Sequence, residues 1–116
     1  MDAEFIRDYC CKKKQVTEGF PFGNDMLVFK VKGKMFLLLS FENEILNISA
    51  KCDPNHATEL REQYTSIQPG YHMNKKLWNT ITLDSTIPNK LIIEIIDDSY
   101  NLVIASLPKK QQEDLL

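Results

Sequence analysis

The stretch MLVFKVKGKMFLLLSF, residues 26–41, decides the fold class. Met26 to Val31 is apolar and β-branched, Lys32-Gly33 has tight-turn chemistry, and Met35 to Phe41 is a second apolar run. Two such runs joined by a glycine-containing turn read as a β-hairpin. Side chains alternate along a strand, so the lysines of residues 27–32 fall on one face and Phe29 and Val31 on the other. Glu42-Asn43-Glu44 is a further polar turn, and Ile45 to Ala50 supplies a third strand with Leu46 and Ile48 on one face. The middle third therefore reads as an antiparallel meander.

Helical patterns flank it. Phe5, Ile6, Tyr9 and Cys10 give residues 2 to about 14 one apolar face. Asp2 and Glu4 early, and Lys12 to Lys14 late, suit the helix dipole, and the lysines read as a solvated C-terminus. Val16-Thr17 has strand character before the irregular Gly19-Phe20-Pro21-Phe22-Gly23. Asp53-Pro54 is a helix start: the carboxylate accepts from free N–H groups, and proline at the first position loses no hydrogen bond. Ala57, Leu60, Arg61 and Tyr64 form the stripe of that short helix. Residues 66–79 read as mainly irregular, Thr80 to Leu83 as a strand, and Pro88 to Leu107 as a long amphipathic helix stopped by Pro108. The order α-β3-α-β2-α, with hairpins instead of crossovers, predicts a two-layer α+β domain, its sheet mainly antiparallel and its helices on one face. One domain over residues 1–116 is expected, with a frayed tail at 109–116.

Composition narrows function without naming it. The chain has 116 residues, 43% hydrophobic and 26% charged, with a net charge of −2, which fits one ordinary globular core. Mild acidity argues against a strongly basic nucleic-acid binder. No apolar run approaches the ~20 residues of a membrane span, and acids at Asp2, Glu4 and Asp8 predict no secretory signal. Cys10, Cys11 and Cys52 make a poor disulfide framework and predict reduced thiols in a cytosol. With His56 and His72 they do not form zinc-ligand spacing, so no metal or cofactor is expected.

The search for catalytic groups is nearly empty. There is no Gly-x-Ser-x-Gly elbow and no Gly-Lys-Ser/Thr loop. Asp97 and Asp98 occupy consecutive helical positions, which point apart, and read as a solvated face. A non-enzymatic protein is expected.

One segment stands out. From Gln63 to Leu83 there is no acid, while His72, Asn74, Lys75 and Lys76 cluster with Tyr71 and Trp78 in a loop. Ammonium groups neutralise phosphate and rings stack on bases, so this loop is a candidate nucleic-acid contact. The alternative is structural: Trp78 in the core and His72 as a hydrogen-bonding loop residue. Lys30, Lys32 and Lys34 at the hairpin tip form a second basic cluster, a wing for a duplex or a guard against edge-to-edge pairing.

Five blocks carry a resemblance. Phe20-Pro21-Phe22-Gly23, residues 27–31 with 33–36, Lys51-Cys52-Asp53-Pro54, residues 69–80, and residues 98–103 with 107–110 occur in the order seen in the MmcQ/YjbR family, which the chain resembles from its first helix to about Lys110. The resemblance implies a bacterial cytoplasmic protein with a fold like that of the type III secretion chaperones. It also implies DNA binding through two basic projections, a double wing, with the basic positions falling on Lys30, Lys34, Lys51, His72, Lys75 and Lys76. Three functions follow as expectations. The first is a DNA-binding module using His72, Asn74, Lys75 and Lys76, with Lys30, Lys34 and Lys51 adding charge. The second is a protein-interaction adaptor using the open sheet face. The third is a small-ligand site around His72 and Asn74. Gly70 is expected to allow positive φ or close backbone approach, and Phe20, Phe22 and Trp78 to fill the core against the long helix.

Overall fold

A computed structural model describes residues 1–42, 44–70 and 73–115. The hairpin forms as its sequence requires. β2 (Met26–Val31) and β3 (Lys34–Ser40) pair antiparallel, and Lys32 (φ 52°) and Gly33 (φ 81°) turn the chain with two left-handed residues. That is the turn whose twist matches the strands it joins. The register steps from Phe29↔Leu37 to Lys30↔Met35, leaving Phe36 as the extra residue of a bulge in β3. The bulge lets Phe36 enter the core, where its ring meets Tyr100 edge-on at 5.3 Å.

β1 (Val16–Gly19) adds to the outer edge of β2, so four strands, not three, precede the second helix. β4 (Asn47–Lys51) pairs with β3, starting two residues later than the apolar pattern predicts. β6 (Trp78–Thr82) pairs with β4, and β5 (Ile67–Pro69) closes the far edge. All neighbours are antiparallel, in the order β1-β2-β3-β4-β6-β5.

The helices share one face of this sheet. α3 (Asn89–Ala105) lies across β2, β3 and β4, α1 (Ala3–Cys11) on β1, and α2 (Pro54–Gln63) on β5. Asp53 caps α2, its carboxylate accepting from the Asn55 and His56 N–H groups, as the Asp-Pro pair predicts. Leu27, Phe29, Leu37, Leu39, Ile48 and Ile81 meet Ile92, Ile96 and Val103 of α3 in the main core. Ser99 of α3 is wholly buried: its hydroxyl donates to the Phe36 carbonyl and accepts from Lys51 N–H at 2.8 Å. It fills the rung of the β3–β4 ladder just beyond Leu37↔Ala50.

Two helical readings change. α1 ends at Cys11, so Lys12 to Lys14 follow it, and Lys13 turns inward. Its ammonium meets Asp97 Oδ1 at 2.6 Å and lies about 5 Å from the Tyr9 and Tyr100 ring centroids. Asp97 also accepts from the Tyr9 hydroxyl at 2.7 Å, so it clasps α1 to α3 and is not a freely solvated group. Burial first, then that hydrogen bond, pushes the Tyr9 hydroxyl up to about 12. Residues Lys109–Glu113, read as tail, form a short α4, and Asp114 beyond it pairs with Lys32 at 3.0 Å.

Candidate binding face of the sheet

Strand alternation assigns the second face. Val28 and Lys30 of β2, Met35 and Leu38 of β3, Asn47, Ser49 and Lys51 of β4, and Trp78, Thr80 and Thr82 of β6 project away from the helices. Among the described residues no helix packs there, yet Val28, Leu38 and Trp78 are buried in a second apolar cluster, with Met26, Met35, Met73 and Leu77 packed around it. Trp78 is thus core, but on the side opposite the long helix. Above the cluster runs a groove of about 840 Å³, floored by Leu38, Ser40, Ser49 and Thr80 and walled by Phe22, Met26, Met35 and Met73. The Ser49 and Thr80 hydroxyls are 3.0 Å apart across β4 and β6.

Phe20 and Phe22 depart from expectation. They are 49% and 65% exposed, in the loop between β1 and β2, and neither belongs to an apolar cluster of the core. Gly23 at φ +113° helps to turn this loop, and Phe22 stands at the rim of the groove.

The loop entering β6 is held from beneath. Gly70 N–H donates to Trp78 O at 2.7 Å, and a Cβ on Gly70 would lie 2.6 Å from Trp78 Cβ. Close approach, not positive φ, is what this glycine supplies. Asn74 Oδ1 accepts from Lys76 N–H, and its carbonyl accepts from Leu77 and Trp78 N–H, so Asn74 builds its own turn. Arg61 of α2 donates Nε to Asn79 Oδ1 at 2.7 Å and Nη2 to the Lys75 carbonyl. This Arg61–Asn79 anchor escaped the sequence reading. Its only local sign is an arginine in the otherwise apolar stripe of α2.

The basic residues divide into groups. Lys30 and Lys51 lie on the open face, opposite Met35 and Trp78 respectively. Lys75 and Lys76 are exposed on the adjoining loop. Lys34, opposite Val31, lies on the helical side of the hairpin tip, and His72 lies outside the described residues. At the other end of the face Asp25 and Glu42 line the groove. The open face is therefore basic toward the hairpin turn and acidic toward the opposite strand ends. The sequence holds a signal for it: Asn47-x-Ser49-x-Lys51 and Thr80-x-Thr82 put polar groups at a period of two, while Ile48, Ala50 and Ile81 point the other way.

Among the described residues no cluster of three or more His, Cys, Asp or Glu forms a metal site, and no helix is long and apolar enough to cross a membrane. Cys10 and Cys52 are buried thiols and Cys11 an exposed one.

Comparison with known proteins gives the family. A protein of Deinococcus radiodurans, solved as a DUF419 domain, superposes with a TM-score of 0.92 at 39% identity, covering 97% of this chain and 86% of that one. The Uncharacterized protein YbdF of Escherichia coli O157:H7 is 40% identical over 94 residues, 81% of this chain and 77% of its own. The Uncharacterized protein YjbR of Escherichia coli K12 is 27% identical over 111 residues, 96% of this chain and 94% of its own. The family model YjbR matches residues 11–102. The chain belongs to the YjbR family.

Proposed function

We propose that the protein is a non-enzymatic binding module whose working surface is the open face of the sheet, and that its partner is an extended segment of another polypeptide. One observation carries this reading: a face that no helix covers holds a buried Val28–Leu38–Trp78 cluster beneath a methionine-walled groove of about 840 Å³. Unbranched, polarisable methionines adapt to varied apolar partners. Four inter-strand spacings from β2 to β5 give the face a width of about 19 Å, the length of some five or six extended residues. The expected outcome is that a capped Gln-Leu-Met-Leu-Gln peptide shifts amide resonances of β2, β3, β4 and β6 and leaves those of the helices unmoved. Met35→Gln with Met73→Gln weakens it at least fivefold, about 1 kcal/mol of apolar contact. Peptide at millimolar concentration that moves none of those resonances overturns the reading.

A second reading is contact with a nucleic-acid backbone at the basic end. It is favoured by Lys30 and Lys51 sharing that face and by exposed Lys75 and Lys76 beside them. The carboxylates of Asp25 and Glu42 on the same face rank it second. Four lysines on phosphates give a log-log salt slope near −4, and Lys75→Glu with Lys76→Glu weakens duplex or single-strand binding at least tenfold in fluorescence anisotropy. No binding at micromolar protein in low salt ends this reading.

A further inference from the structure

We infer that the groove selects a partner segment carrying positive charge beside its apolar anchor, a lysine or arginine flanking leucine- or methionine-like side chains. The inference rests on the open-face reading and adds the chemistry of the occupant. Among the described residues, the charged ones lining the groove are Asp25 and Glu42. They are brought together by the strand ends: Phe41 N–H donates to Asp25 O at 2.7 Å, and Glu42 N–H lies 3.4 Å from Ser40 Oγ. Neither carboxylate has an ion-pair partner among the described residues, whereas Lys13, Lys32 and Arg7 do.

Phe22, at the same rim and 65% exposed, offers a ring face to a cation held by the two acids. The rest of the described lining is apolar or carries neutral hydroxyl and amide groups, Asn47 and Gln68 among them, so it accepts the anchor and supplies hydrogen bonds without adding charge. Lys30 and Lys51 stand on the same face beyond the groove, toward the hairpin turn, which directs the basic residue of the occupant to the Asp25–Glu42 end.

The test uses the intact protein and three capped peptides with a common Leu-Met-Leu core flanked by lysine, glutamine or glutamate. Trp78, the single tryptophan, sits in the cluster under the groove and reports occupancy by its emission; calorimetry measures affinity. At low salt the lysine peptide should bind about fivefold tighter than the glutamine peptide, as two exposed ion pairs allow, and the glutamate peptide weakest. The preference should vanish in Asp25→Asn with Glu42→Gln, both exposed positions, and shrink in about 0.5 M NaCl. Equal affinities, or a preference that survives the double substitution, overturn the charge inference while binding of the glutamine peptide keeps the open-face reading. Failure of all three peptides to bind overturns both.

Discussion

Gly70 and Trp78 lie back to back where β5 meets β6, and nothing between them can yield. The atoms nearest a Gly70 Cβ are Trp78 Cβ at 2.6 Å and its carbonyl oxygen at 2.9 Å, neither of them the end of a flexible side chain. Gly70→Ala should therefore cost about 2 kcal/mol through forced separation of the two strands, a fall in Tm of roughly 8 °C. Trp78 emission should shift to the red as the indole loses its packing against Val28 and Leu38. A variant that melts with the wild type would show that the strands part without strain. The need for glycine here was legible in Pro-Gly followed by a loop. The places of Phe20 and Phe22 were not, because an apolar residue in a Gly- and Pro-bounded loop carries no periodicity to say which way its ring turns. Arg61 hid for a related reason: its partners, Asn79 and the Lys75 carbonyl, are 18 and 14 residues away.

At the level of elements, the hairpin, the Asp53-capped helix and the long helix were readable because each has a local cause: turn chemistry, a cap with proline, a sustained 3.6-residue period. β1 was read only as strand character, since four residues ending in Gly19 bury little and gain their order from β2. The bulge at Phe36 was invisible as a bulge. The continuous run Phe36 to Leu39 does hold its trace, for a strand buried on both faces loses the alternation of a half-exposed one. Leu38 in that run floors the groove. Unbroken apolarity in β3 was thus a sign of a second hydrophobic face.

For the whole molecule, protonated groups in the interior tie stability to alkaline pH. Burial first, then neighbouring Cys11, pushes the Cys10 thiol from 9.0 up to about 12, and burial with nearby Asp98 takes Cys52 to about 11. Tyr9 rises to about 12. Raised values mean that the folded state holds these protons more tightly than the unfolded one. Their stabilisation is complete below about pH 9 and drains away as pH climbs through 11 to 12. Melting temperatures measured at rising pH should fall across that window, and Cys10→Ala with Cys52→Ala should flatten the fall whatever it does to the plateau. A Tm constant from pH 9 upward would contradict the assignment. The Ser99 hydroxyl has a consequence of a different kind. The rung it completes joins Phe36 and Lys51 to a helix 63 and 48 residues further along the chain. During synthesis the central strands emerge first and leave that rung open, with one carbonyl and one N–H waiting. The middle of the sheet is finished only when the last third of the polypeptide has arrived.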